Sequence, residues 1–179
     1  MNKVSKLQPR ARVAAKLDTP TDLSQSAVTA VSKAITEILA DSFALYVKTK
    51  NFHWHVSGPH FRDYHLLLDE QADQIFATTD ELAERIRKIG GTTLRSIGQI
   101  AEITSIEDNN EEYVAPGDML RELLSDHKSV IAKMRSAHEL CDKHDDVGTA
   151  AQLEEFIDGA ERRCWFLFEM SRTADKSGH

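Results

Sequence analysis

Four side chains that can bind a metal ion recur at helical spacing near the middle of the chain. They are His65, Asp69, Asp80 and Glu84. At about 100° per residue they lie at roughly 0°, 40°, 60° and 100° around a helix axis, and so they form one stripe. Imidazole together with carboxylates suits iron or zinc better than magnesium or calcium. The pattern therefore indicates a transition-metal site, although solvated acids and a locally hydrogen-bonded histidine would give the same pattern.

A single helix cannot complete such a site. Asp69 and Asp80 are 11 residues apart, which is ~16.5 Å along a helix axis, whereas metal–ligand bonds are only ~2–2.5 Å long. Two copies of the helix, paired antiparallel about a two-fold axis near residues 74 and 75, would place His65 and Asp69 opposite Asp80 and Glu84 of the partner subunit. Such a dimer is isologous and contains two identical sites. No histidine follows a glutamate at Glu-x-x-His spacing, which disfavours a conventional di-iron centre inside one subunit.

The N-terminal segment and the rest of the chain carry opposite charges. Five basic residues precede the first acidic residue, Asp18: Lys3, Lys6, Arg10, Arg12 and Lys16. Removing these 5 from the 22 Lys and Arg leaves 17 basic residues against 29 Asp and Glu, a charge of −12 for the remainder. Residues 1–18 are therefore predicted to form a flexible basic arm that binds an anion, on a body that attracts cations. A disordered terminus that only aids solubility is the alternative.

Four long segments with helical spacing of apolar residues predict an all-α fold. The helices are expected at about 20–50, 59–89, 116–143 and 147–172. Thr19 and Pro20 predict the start of the first helix, and Gly90-Gly91 predicts the end of the second. The link over residues 90–115, with a short helix near 96–103, is long enough to run the length of a bundle. A long crossover between the second and third long helices is the topology of a ferritin-like four-helix bundle.

This organisation predicts an arm at 1–18, a bundle at 19–172 and a short tail at 173–179. No stretch approaches the ~18 apolar residues of a membrane-spanning helix, and the first residues lack the apolar segment of a secretory signal. Cys141 and Cys164 form no CxxC motif. A reducing cytoplasm is therefore the expected compartment, with no membrane partner.

Several motifs together resemble the signature of the Dps proteins, the DNA-binding proteins from starved cells, also called miniferritins. The resemblance covers about residues 20–172. It is carried by Asn51-Phe52-His53-Trp54, Gly58-Pro59-His60-Phe61, His65-x3-Asp69-x10-Asp80-x3-Glu84-Arg85 and Cys164-Trp165-Phe166. The multi-part spacing makes this resemblance specific.

The resemblance implies a hollow shell of twelve four-helix subunits, with ferroxidase sites at the two-fold interfaces. By matching position, one subunit supplies His53, His65 and Asp69 as iron ligands, and the partner subunit supplies Asp80 and Glu84. The place of His53 in this set comes from the resemblance alone. Trp54 would lie beside the site, where it either intercepts oxidising equivalents or packs at the interface.

The implied activity is oxidation of ferrous iron with hydrogen peroxide or oxygen, followed by storage of ferric mineral. Iron detoxification would protect DNA, and the basic arm would add non-specific DNA binding and association with the nucleoid. The alternative is mainly a structural, DNA-compacting protein whose ferroxidase site is weak or vestigial.

Two features depart from the family pattern or vary within it. His55 stands where the family commonly has Asn, and a surface hydrogen bond is expected for it rather than a role as an extra ligand. Acids near the start of the fourth long helix are candidates for an iron-entry pore, although an ordinary helix start and a solvated face would explain them as well. These acids are Asp145, Asp146, Glu154, Glu155 and Asp158.

Overall fold

The computed structural model describes residue 17 and residues 19–172. These residues form five helices: α1 (Gln25–His55), α2 (Phe61–Lys88), α3 (Ile97–Ile103), α4 (Pro116–Lys143) and α5 (Val147–Ser171). The main packing contacts join α1 to α2 and α4 to α5, and α1 also packs against α4 and the short α3. The predicted all-α four-helix bundle, with a crossover that carries a short helix, is confirmed. None of the helices in the described part of the chain is long and apolar enough to cross a membrane.

The bounds of α1 differ from the prediction at both ends. Ser24, and not Thr19, is the N-cap, because its side chain accepts a hydrogen bond from the backbone N–H of Ala27. The helix start predicted from Thr19 and Pro20 was therefore about five residues too early. At the other end, α1 continues past Lys50 to His55, so that His53 lies in its last turn.

A tight turn reverses the chain between α1 and α2. Gly58 adopts a φ of 107°, a left-handed conformation that side chains other than glycine's disfavour. The backbone N–H of Phe61 donates to the Gly58 carbonyl over 3.0 Å. The first turns of α2 are thereby brought back against the last turn of α1.

The core is a continuous apolar cluster along the four long helices. Apolar side chains at helical spacing fill it, which explains why the sequence forms these helices and not strands. The largest fully buried side chains are Ile35, Ile38, Leu39, Leu45, Phe52, Leu68, Leu82, Ile86, Leu120, Leu123, Leu153 and Leu167.

Buried charges attach the crossover to the bundle. Asp41 on α1 is fully buried and accepts hydrogen bonds from Thr104, Ser105 and Lys133. Lys48, also buried, donates to the carbonyl of Glu107 over 2.8 Å. These contacts fix the position of the crossover after α3 relative to both α1 and α4.

Candidate metal centre

Two histidines at the turn between α1 and α2 hold each other through the main chain. Nδ1 of His53 lies 2.8 Å from the carbonyl oxygen of His65, and Nδ1 of His65 lies 2.9 Å from the carbonyl oxygen of His53. The two rings stack with centroids 3.8 Å apart and an interplanar angle of 22°. Because a carbonyl oxygen only accepts, each Nδ1 carries a proton, and in the neutral form of each ring the lone pair is on Nε2. This tautomer is the one that binds a metal ion through Nε2.

Neighbouring side chains fix the orientation of this pair. Phe61 lies against the ring of His65 with centroids 4.9 Å apart. Phe52, the residue before His53, is almost fully buried and anchors the end of α1 in the core. The two imidazoles are therefore held on rigid elements before any metal arrives.

Asp69 is the carboxylate nearest to the histidine pair. Its Oδ1 lies 3.7 Å from Nε2 of His53 and 2.5 Å from Nζ of Lys50. The hydrogen bond from Lys50 holds the pKa of Asp69 below its usual value, and the same bond raises the pKa of Lys50. Asp69 is therefore ionised and can bind a cation, but the ammonium group of Lys50 already donates a hydrogen bond to its Oδ1.

Lys50 is a residue of this site that was not predicted from the sequence. It precedes His53 by three residues, which is the spacing that puts two side chains on the same face of a helix. That spacing could have identified it once His53 was recognised.

Asp80 and Glu84 lie farther along α2, on its exposed surface. Glu84 forms an ion pair with Lys88 over 3.1 Å, between side chains that are both largely exposed. Among the residues that the structure describes, no three His, Cys, Asp or Glu side chains within one subunit converge closely enough to hold a metal ion. A single subunit thus stacks His53 on His65 and places Asp69 beside His53, but these three groups do not by themselves form a metal site.

Trp54 and His55 complete the end of α1. The Trp54 side chain is 64% exposed, so a single subunit does not bury it. Nδ1 of His55 lies 2.8 Å from the carbonyl oxygen of Asn51 at an exposed position, which is the surface hydrogen bond expected for it.

The structure does not bring the five candidate pore acids together. Asp146 is buried, caps α5 by accepting from the backbone N–H of Thr149, and pairs with Arg85 over 2.6 Å. Glu154 accepts from Nε2 of His138 over 2.9 Å when that nitrogen is protonated. The remaining three acids, Asp145, Glu155 and Asp158, are exposed. Asp146 therefore has a structural function at the start of α5.

The basic residues of the arm, Lys3, Lys6, Arg10, Arg12 and Lys16, lie outside the described residues. The two cysteines are free thiols. Burial raises the pKa of Cys141 to about 12 and also raises the pKa of the half-buried Cys164. Both thiols are therefore protonated near neutral pH, which fits packing and not reactivity.

Comparison with known proteins shows that this bundle is similar to ferritin-like domains. The family model of the ferritin-like domain matches residues 32–176. DpsC from Streptomyces coelicolor superposes with a TM-score of 0.84 at 27% identity, over 87% of this chain and 91% of that one.

Two relatives are similar in sequence. The DNA protection during starvation protein of Brevibacillus brevis is 30% identical over 137 residues, 76% of this chain and 91% of that protein. An uncharacterised low-temperature-induced protein from Nostoc sp. is 31% identical over 138 residues, 76% of this chain and 77% of that protein. The chain belongs to the Dps family of ferritin-like proteins.

Proposed function

We propose that this protein oxidises ferrous iron with hydrogen peroxide or oxygen, at sites shared between two subunits of a homo-oligomeric shell, and stores the ferric product. The single observation that carries the proposal is the reciprocal pairing of His53 and His65. It presents two Nε2 lone pairs beside Asp69 on the surface of the subunit. The remaining ligands are Asp80 and Glu84 of the partner subunit, and the shell is a dodecamer.

Iron is the substrate of the proposed reaction. Imidazole nitrogens suit Fe²⁺, and carboxylate oxygens stabilise the Fe³⁺ that forms. With hydrogen peroxide as the oxidant, two Fe²⁺ ions give up one electron each, the O–O bond is cleaved, and two protons are taken up to release two water molecules. Paired oxidation avoids the one-electron step that would release hydroxyl radical, and this is how the protein would protect DNA. With oxygen as the oxidant, two Fe²⁺ ions give up one electron each, and O₂ takes up two protons to leave as hydrogen peroxide.

Mixing two inactive variants tests whether the site is shared. His65→Ala and Asp80→Ala should each lower the rate of iron oxidation by about tenfold or more, because each removes a ligand. A dimer that contains one subunit of each variant has one site that lacks both ligands and one intact site. Part of the activity should therefore return when the two variants are unfolded together and reassembled.

Two control variants match these substitutions. His55→Ala removes an exposed histidine that has the same kind of main-chain hydrogen bond. Glu70→Gln removes a carboxylate on α2 that accepts a hydrogen bond from Gln74 over 3.0 Å. Both controls should keep wild-type rates. If subunit exchange is demonstrated and no activity returns, ligands shared across a two-fold axis are ruled out.

DNA binding is the second candidate function, and the charge of the arm favours it. The arm carries +5 before Asp18, against −12 for the rest of the chain. Several arms on one shell could bridge DNA strands, because linked weak contacts add to one another. Removal of residues 1–16 should abolish DNA retardation in a low-salt gel and leave iron oxidation unchanged. If the truncated protein retarded DNA as fully as the intact protein, the arm would not be the DNA-binding segment. For this function we infer a cytoplasmic location with association to the nucleoid.

A further inference from the structure

A long polar side chain lies in the buried face of three of the long helices. Gln71 belongs to the buried face of α2, His127 to that of α4 and Arg163 to that of α5. Their exposed fractions are 2%, 1% and 7%, so each side chain is more than nine-tenths buried. Buried polar groups are normally paired, because an unpaired group loses its hydrogen bonds to water without replacement. Each of these side chains therefore needs a partner inside the bundle.

The three side chains lie close to one another. Nε2 of Gln71 donates to the main-chain carbonyl of Arg163 over 3.3 Å, which places the amide group of Gln71 against α5. The charge of Arg163 adds to the effect of burial in lowering the pKa of His127, so the guanidinium is also near the imidazole. Polar groups of α2, α4 and α5 thus meet in one region of the core.

Four polar atoms of this region have no hydrogen-bond partner among the residues that the structure describes. They are Oε1 of Gln71, both ring nitrogens of His127 and Nε of Arg163. Because burial and the Arg163 charge lower the pKa of His127 to about 3, its ring is neutral near pH 7, and one nitrogen donates while the other accepts. Nε of Arg163 only donates, and Oε1 of Gln71 only accepts. The four atoms therefore offer two donors and two acceptors.

This balance of donors and acceptors indicates the chemical class of the ligand. An anion would accept from Nε of Arg163, but the oxygen of Gln71 and the accepting nitrogen of His127 would repel it. A cation would be repelled by Arg163, because burial lowers the pKa of its guanidinium only to about 10 and the group stays charged at neutral pH. A water molecule can both donate and accept, and so it matches a mixed set of partners.

We propose that Gln71, His127 and Arg163 form an internal water site that joins α2, α4 and α5. The bridging water accepts from Nε of Arg163, donates to Oε1 of Gln71 and forms its third hydrogen bond with one ring nitrogen of His127. About three hydrogen bonds are usual for a buried water. The two ring nitrogens of His127 point in different directions, so the second one requires a second water. The inference is independent of the proposed iron oxidation, because none of the three residues is a proposed iron ligand.

A crystal structure of the wild-type protein, at a resolution that shows ordered water, tests the site directly. We expect a density peak about 2.7–3.2 Å from Oε1 of Gln71, Nε of Arg163 and one ring nitrogen of His127. The absence of a peak, or a peak in contact with only one of the three side chains, would overturn the inference. Crystals grown in bromide distinguish water from an anion, because bromide gives an anomalous signal. Bromide at this position would also overturn the inference.

Magnetic relaxation dispersion of water nuclei counts long-lived internal waters in solution. The double variant Gln71→Leu/His127→Leu removes two of the three partners and should lose about one such water per subunit. Thr79→Val is the matched control, because Thr79 is a buried polar residue of α2 whose hydroxyl already donates to the carbonyl of Phe76 over 2.7 Å. It should keep the wild-type count.

An unchanged count in the double variant, with the circular dichroism of the wild type, would show that no long-lived water depends on these side chains and would overturn the inference. If the double variant does not fold, Gln71→Leu alone provides the comparison, because it removes the acceptor of the bridging water. The crystal structure needs no variant, so it decides between the outcomes in either case.

Discussion

At the scale of single residues, the histidine pair is notable because each ring is held by the other residue's main chain. His53→Ala would remove one imidazole but leave the carbonyl of residue 53, so His65 would keep its acceptor. The reverse holds for His65→Ala. Each substitution therefore removes one proposed ligand and leaves the hydrogen-bond acceptor of the other ring in place, which makes the activities of the single variants directly interpretable.

Lys50 competes with metal for Asp69, and its removal tests that competition. A cation that binds Asp69 must first displace the ammonium group that lies 2.5 Å from Oδ1. Lys50→Met should therefore increase the affinity for Co²⁺, a redox-stable substitute for Fe²⁺, by a few-fold in a titration at pH 7. Lys33→Met, which removes a lysine that pairs with Glu37 on the same helix, should leave the affinity unchanged. A weaker affinity in Lys50→Met would instead show that Lys50 holds Asp69 in its binding orientation.

His127 makes the stability of the protein depend on pH. Burial, with a smaller effect of Arg163, lowers the pKa of His127 from 6.5 to about 3, and its two ring nitrogens have no hydrogen-bond partner among the described residues. Below pH 6.5 the unfolded chain takes up a proton here that the folded protein does not. This contribution to stability is complete above pH 6.5 and is lost as the pH falls towards 3, by up to ~1.4 kcal/mol per pH unit.

Replacement of His127 by leucine removes this pH dependence. Between pH 6.5 and pH 5, the wild type should lose about 2 kcal/mol more unfolding free energy than His127→Leu. Urea unfolding at equal protein concentration measures the difference, because stability of an oligomer depends on concentration. Equal losses in the two proteins would mean that His127 takes up its proton in the folded state.

At the scale of helices and links, the signals that end a helix predicted the structure better than those that begin α1. Gly90-Gly91 ends α2 and Pro116 begins α4, as expected, and α3 lies within the predicted residues 96–103, with Ser96 as its N-cap. Thr19-Pro20 failed because Ser24 supplies a competing cap nearer the first buried residues of α1. A single sequence contains both signals, and packing against the bundle decides between them.

The attachment of the crossover depends on Asp41. This carboxylate is fully buried and accepts hydrogen bonds from two residues of the crossover and from Lys133 on α4. Asp41→Asn removes the charge that balances Lys133 and should lower the unfolding free energy by about 3 kcal/mol. Thermal unfolding measures the loss, and proteolysis within residues 97–106 should become faster. Glu37→Gln, which breaks an exposed pair with Lys33, serves as the control and should change neither.

Asp146 at the start of α5 is buried, whereas Glu155 in the same helix is exposed. One variant of each residue tests whether the two acids have different functions. Asp146→Asn should lower the unfolding free energy by about 2 kcal/mol, because it weakens a charged hydrogen bond to Arg85. Glu155→Gln should leave thermal unfolding unchanged but slow the entry of iron if the exposed acids guide cations. Normal iron entry in Glu155→Gln would remove this residue from the candidate pore.

At the scale of the whole molecule, the spacing of residues in the sequence predicted the helices. It did not predict the side-chain contacts that form between helices. The four long helices and the crossover follow from helical periodicity, and the metal-binding role of the stripe on α2 stays a prediction. The ion pair of Lys50 and the burial of Asp146 depend on which helix lies opposite, so a single sequence does not reveal them. Sharing of the site between subunits remains a prediction that the mixed-variant experiment tests.

The bundle should fold without metal, because its stability comes from a different part of the molecule. The core is an apolar cluster that runs through all four long helices, whereas Asp80 and Glu84 are exposed on the surface of α2. Burial of a single large apolar side chain contributes about 1.5–3 kcal/mol to stability. The many side chains of the core therefore stabilise the fold far more than a metal ion bound at the surface would. Treatment with a chelator should therefore leave the helical circular dichroism signal unchanged, while metal-free protein regains iron oxidation as soon as Fe²⁺ is added. Extensive loss of helicity in the chelator would mean that a bound metal ion is structural, as it is in small zinc domains.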